Sequence, residues 1–236
     1  MGTALTIARR ELGALFVSPI AYVVAAAFLA LSGYLFSILL ITSSQATMTS
    51  LFQNVSFILL FVAPLLTMRL LADEQKQGTL ELLLTAPVRD WEVVLGKFLA
   101  ALALFGAMLL CTLLYPLFLW SIGGRPDIGP IISGYLGLIL IAAAMLAIGT
   151  LTSSLTENQI VAAVLAFAIL LALWLISSAG NVATGASAVL SALSLPAHYD
   201  GFTLGAINLE DVTYYLSLTI GALFIATRVL ETRRYR

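Results

Sequence analysis

Long apolar stretches, separated by short polar turns and clustered charges, run along nearly the whole chain. Glu11 and Arg69 enclose 57 uncharged residues, Lys97 and Arg125 enclose 27, and Asp127 and Glu157 enclose 29. Glu157 and Asp200 enclose 42, and Asp211 and Arg228 enclose 16. A membrane-crossing helix takes about 20 apolar residues at ~1.5 Å rise each. The first gap therefore holds two helices, divided at the polar run Thr42-Ser43-Ser44-Gln45-Ala46-Thr47. The pattern predicts six spans, over about 20–41, 52–72, 98–121, 131–151, 158–178 and 212–230. The last is long enough only if Arg228 snorkels to the headgroups. Pro64 and Pro116 are candidate kinks in spans 2 and 3.

Two further elements lie outside the spans. Leu5, Ala8, Leu12, Leu15 and Phe16 recur near helical spacing against Arg9, Arg10 and Glu11. That predicts an amphipathic helix over 5–17, lying in the interface and ending at Ser18-Pro19. The stretch from Met68 to Phe98 carries nine of the chain's 23 charged residues. Within it Leu80, Leu83 and Leu84 share one helical face, with Lys76, Gln77 and Glu81 elsewhere. Gly78 permits a sharp turn, Pro87 stops the run, and Asp90 is the expected cap of the next helix. A short amphipathic element between spans 2 and 3 follows. Its dense mixed-charge face suits an ion-paired protein contact better than a plain reverse turn.

Composition narrows the class. The chain has 236 residues, 61% hydrophobic and only 10% charged. A soluble domain runs at roughly 25% charged, so the pattern describes an all-α polytopic membrane protein forming a single unit, 1–236. The one cysteine, Cys111, has no partner for an intrachain disulfide. A net charge of -1 offers no basic field for nucleic acid. Six spans put both termini on one side. Placing them in the cytoplasm leaves ten of eleven basic residues inside and only Arg125 outside. The segment 179–210 then lies outside, where His198 and Asp200 read as a loop pair.

Catalytic chemistry is not encoded in any recognisable form. There is no GxxxxGK[ST] phosphate loop, and the lone His198 and Cys111 cannot make a conventional zinc site. A secondary transporter or channel would usually place carboxylates within the spans, which are nearly free of charge here. Glu157 and Asn158, with Gln159, at the start of span 5, are candidates for an inner gate or a partner contact. Gly96, Gly134 and Gly137 are expected to let helices approach closely.

Four stretches carry a family resemblance: Ala8–Leu12 with Ser18–Val24, Ala63–Leu104, Gly129–Ala162, and His198–Arg228. The specific block surrounds Glu74, Gly78, Thr79, Leu80 and Glu81. In these stretches the chain resembles the ABC-2 type permeases, the membrane subunits of ATP-binding-cassette exporters, and most of all their gliding-motility branch. The resemblance implies an elbow helix at Arg9, Arg10 and Glu11, and a coupling helix in the segment 73–86. Asp73, Glu74, Lys76, Gly78, Thr79, Leu80, Glu81, Leu83 and Leu84 would meet the ATPase, with Glu74, Lys76 and Glu81 facing outward. It implies a multi-pass protein of the bacterial inner membrane that binds no cofactor or metal itself. ATP and Mg2+ would be held by a cytoplasmic ABC ATPase subunit. The other implied partners are a second copy or a paralogous permease and, in this branch, an auxiliary membrane protein with a periplasmic domain. The alternatives left open are a transporter or channel not driven by ATP, and a membrane scaffold that moves no solute.

Overall fold

Serine and proline split the first apolar run where the sequence predicts it. In the computed structural model, which describes residues 2–42, 48–78, 89–124, 126–180, 190 and 192–234, α1 (Gly2–Val17) ends at Ser18 and α2 (Pro19–Thr42) begins with Pro19. Proline is suited to a first helical position, because its missing N–H would have no partner there. Then follow α3 (Thr49–Thr67), the short α4 (Ala72–Lys76), α5 (Asp90–Thr112) and α6 (Leu114–Ser121). The chain continues through α7 (Ile128–Leu155), α8 (Gln159–Gly180), α9 (Leu195–Thr203) and α10 (Leu209–Arg234). All regular structure among the described residues is helical, and six stretches are long and apolar enough to cross a membrane.

Span 3 is carried by two helical pieces. Its helix begins at Asp90, the residue expected to cap it, ahead of the apolar stretch from 98, and breaks at Leu113 into α5 and α6, three residues before the candidate kink Pro116. The cap of α5 is Arg89 rather than Asp90. The Arg89 backbone N–H donates to the Glu92 carboxylate at 3.2 Å. Acidic side chains at positions 90 and 92 also suit the positive end of the helix dipole.

The spans divide into an inner and an outer set. Of the apolar cores of α3 and α7, 72% and 61% of residues are buried, against 22%, 17% and 22% for α2, α8 and α10. The outer helices therefore leave most of their surface for lipid or partner protein. α7 is the axis of the bundle and packs against α3, α8, α9, α5 and α10. Its parallel crossing with α3 is close. A Cβ on Gly134 would run into the Phe52 ring, and one on Gly149 would overlap the Thr67 side chain. Those contacts lie fifteen residues apart on each helix, so the two helices stay in register along their length. Gly96 serves the α1–α5 crossing, where a Cβ would stand 2.8 Å from Ile7 Cγ2 and 2.9 Å from the Ala4 carbonyl.

α1 buries Ala4 and Ala8 with partly buried Leu12 and Leu15, a stripe at i, i+4, i+8 and i+11 laid on α5 and the core. Leu5, assigned to that stripe from the sequence, points outward and is 69% exposed. It sits about 100° round the helix from Ala4. Thr3 Oγ1 donates to Glu92, fastening the start of α1 to the start of α5.

At the opposite, acidic end, α9 plugs the bundle. Tyr199 and Phe202 pack on Gly137, Ser133 Oγ donates to the Phe202 carbonyl at 2.7 Å, and Tyr199 donates to the Gly134 carbonyl at 3.3 Å. Burial, with smaller contributions from Tyr135 and Asp200, raises the Tyr199 phenol well above its ordinary value, so it remains a donor. His198 does not pair with Asp200. Its Nδ1 lies 2.7 Å from Asp211 Oδ1 and its ring stacks on Tyr214 with centroids 4.0 Å apart. Asp200 instead accepts from Gln53 at 3.4 Å. On helix α9 a residue two places away points roughly 200° round the axis, which separates His198 from Asp200.

Candidate functional site

The site grows from the place where α3 stops. After Thr67 the backbone turns through residues 68–71 and restarts as α4. The break frees backbone groups inside the bundle, where an unpaired N–H is expensive. One side chain on α7 meets them. Ser153 Oγ accepts from the N–H groups of Leu71 and Ala72, both at 3.1 Å, and donates to the Met68 carbonyl at 3.2 Å. Ser153, Leu71 and Ala72 are fully buried. Ser153 thus takes the place of a capping residue that Leu71, at the N-cap, cannot provide.

Consecutive helical residues fan out by about 100°, and α4 uses this to reach three neighbours. Asp73 Oδ2 takes Arg69 Nε at 2.9 Å, while Oδ1 takes the Gln159 amide at the start of α8. Glu74 Oε1 meets Lys97 Nζ of α5 at 2.9 Å. Gln75 Nε2 donates to the Ser154 carbonyl at the end of α7 at 3.0 Å. Lys97 also meets Glu11 Oε1 of α1 at 3.4 Å, and that oxygen takes Arg10 Nη2 at 3.2 Å. The Lys97 side chain is only 2% exposed, against 16% for Glu11 and 20% for Glu74. A cavity of about 240 Å³, lined by Glu11, Leu15, Arg69, Asp73, Glu74 and Lys97, opens beside the pair. A second cluster of Leu71, Val93, Val94, Ala226 and Leu230 gathers α4, α5 and α10 next to it.

Against the sequence-derived residues, this junction is partly as expected. Glu11, Asp73 and Glu74 come together, but Glu74 turns inward to Lys97 instead of outward, so that assignment is corrected. The reason is the short helix itself: at position 74 its side chain faces the α1–α5 side. Lys76 is exposed and, with Glu157 and Asn158, lines a cavity of about 460 Å³ at the α7–α8 corner. Asn158 caps α8, its Oδ1 accepting from the Ile160 N–H at 2.9 Å. Arg9 is exposed on α1. Thr79, Leu80, Glu81, Leu83 and Leu84 lie outside the described residues, so the amphipathic face assigned to them has no structural description. Lys97 and Ser153 were not singled out as site residues, whereas Gln159 was grouped with Glu157 and Asn158. The one signal for Lys97 was a lone cation within the helical run Val94-Leu95-Gly96-Lys97-Phe98.

Gly78 ends α4 in the left-handed region, with φ +69° and open space where a Cβ would point. Only backbone strain opposes substitution there. Gly78→Val should cost about 1–2 kcal/mol locally, and Gly78→Asn far less, because asparagine visits that region. Faster amide exchange across α4 in the valine variant alone is the expected result.

Among the described residues, no group of three or more His, Cys, Asp or Glu is placed to hold a metal ion. The junction is a set of ion pairs and hydrogen bonds joining five helices. No curated protein matches the chain. A family model described as ABC-2 family transporter protein matches residues 18–223, from the start of α2 well into α10. Proteins of that family are multi-pass membrane subunits, generally not catalytic, that normally work with a cytoplasmic ATPase subunit. By that match this chain belongs to the ABC-2 family of transporter proteins.

Proposed function

We propose that this chain is the permease subunit of an ATP-driven exporter, with the segment from Asp73 to Thr85 receiving motion from a separate ABC ATPase. The observation that carries this reading is the attachment of α4. It is a five-residue helix with little packing of its own, tied by side chains to α5, α7 and α8, and through Lys97 of α5 to α1. A partner pushing on the following residues would move α4, and α4 would move the ends of those helices. Lys76, Gly78, Thr79 and Glu81 are the proposed docking positions, with Leu80, Leu83 and Leu84 seated on the membrane domain. The junction is then cytoplasmic, both termini are cytoplasmic, and the membrane is the bacterial inner membrane. The Glu74–Glu81 block supports placement near the gliding-motility branch, with pairing to a second copy or paralogue and an auxiliary periplasmic-domain protein as further partners. The nearly charge-free spans suit an apolar or amphiphilic passenger, or mechanical work on an external protein.

Two measurements test the reading. Reporter fusions after Gln45, Asp127 and Asp200 should report the outside, and fusions after Gly78 and at Arg236 the inside. The purified chain should hydrolyse no ATP, while the chain isolated with its ATPase subunit should show vanadate-sensitive turnover. Solute flux through the chain alone in proteoliposomes, with no nucleotide, would favour a channel or secondary transporter and overturn the proposal.

A further inference from the structure

We infer that Lys97 is a positioning residue that yokes the N-terminal helix to the coupling segment, so that α1 moves when α4 moves. The inference rests on the coupling role proposed for α4 and adds the route by which motion reaches α1.

Four observations lead to it. The Lys97 ammonium is buried, yet it sits 2.9 Å from Glu74 of α4 and 3.4 Å from Glu11 of α1. Those carboxylates belong to elements that share little direct packing, and the cavity of about 240 Å³ lies beside them. The lysine is therefore the main described link between α1 and α4. Its own helix is anchored: Gly96, one residue earlier, is the point where α1 crosses α5 with no room for a Cβ. Lastly, stability gives a poor account of the arrangement. Replacing a buried ion pair with apolar side chains is often neutral or stabilising. A three-centre link between otherwise separate elements is better explained by positional control. Lysine chemistry fits that use. Its ammonium is a compact charge on a flexible stem with three rotatable donors, so it can keep both carboxylates while they shift relative to each other.

The test measures α1 and α4 separately. In a Cys111→Ser background, spin labels replace Leu5 on α1 and Gln77 beside α4, both exposed, with a reference label at exposed Leu155. In nanodiscs, without the ATPase, the Leu5–Gln77 distance distribution should be narrow in the otherwise native chain. It should at least double in width in Lys97→Met and in Glu74→Gln, and return to the native width in Lys97→Arg. Glu74→Gln keeps the lysine, so the question stays answerable if Lys97→Met fails to insert. Unchanged widths in both variants would overturn the yoke. With the ATPase subunit bound and trapped by ATP and vanadate, both the Leu5–Leu155 and Gln77–Leu155 distances should shift in the native chain. In Lys97→Met the Gln77 shift should persist and the Leu5 shift should fall at least threefold. An undiminished Leu5 shift would overturn the inference while leaving the coupling reading intact. Absence of any Gln77 shift in the native chain would overturn the coupling reading, and the inference with it.

Discussion

Ser153→Ala is expected to lower stability by about 2–4 kcal/mol, because it strands two buried backbone N–H groups at once and each costs ~1–3 kcal/mol. The hydroxyl is the one side-chain partner described for the N–H groups of Leu71 and Ala72. No water reaches them readily, since Leu71, Ala72 and Ser153 are fully buried. Ser153→Thr keeps the hydroxyl and should recover most of the loss. The damage should be localised: amide exchange at Leu71 and Ala72 should accelerate far more than in mid-span α7. A functional effect should accompany it, since α4 starts at these two residues. ATP-dependent activity of the assembled complex should fall severalfold in Ser153→Ala and remain near normal in Ser153→Thr. A fall in activity with unchanged exchange at Leu71 and Ala72 would mean that Ser153 contacts a partner instead of holding the helix break.

What could be read from the chain beforehand, and what could not, follows from how local each interaction is. Charge spacing located six spans because the cost of a charge in lipid is paid residue by residue. The same rule began the apolar stretch of span 3 after Lys97, although Asp90 marked the helix start. Lys97 was taken as a boundary charge, whereas the structure buries it within α5 and neutralises it with Glu11 and Glu74, both remote in the chain. No window on the sequence contains that triad. His198 failed in the same way, since its partner Asp211 lies on the next helix and its near neighbour Asp200 faces elsewhere. Gly78 was legible because its role is local, and its φ of +69° is a property of one residue. Gly96, Gly134 and Gly137 were legible as small residues on helix faces, but the helices they would meet were not. Gly149 and Ser153 were passed over entirely, though they stand one turn apart on α7 and together receive the end of α3 and the start of α4.

That pairing sets up the second large effect. Glycine inside a helix is ordinarily worse than alanine by up to ~1 kcal/mol, so Gly149→Ala ought to stabilise α7 if propensity decided the matter. Packing should reverse the sign. The new methyl would overlap Thr67 Oγ1 and stand 2.9 Å from Thr67 Cβ. Thr67 cannot swing aside freely, because it is fully buried and its hydroxyl is held by the Ala63 carbonyl at 2.8 Å. Overpacking a tight interior site costs about 1–3 kcal/mol, which outweighs the propensity gain, and Gly149→Leu should prevent stable folding. Gly221 supplies the control: a Cβ there meets nothing within 4 Å, so Gly221→Ala should be neutral or stabilising. Thr67→Ala removes the obstructing atoms, and Thr67→Ala with Gly149→Ala should recover most of the stability lost by the glycine change alone. Because the crossing at Gly149 seats the helix break that Ser153 satisfies, Gly149→Ala should also speed exchange at Leu71 and Ala72. Its effect should combine less than additively with Ser153→Ala, as expected for neighbours sharing one structural element. Strict additivity, with no change in exchange at Leu71 and Ala72, would show that the α3–α7 crossing and the attachment of α4 are independent.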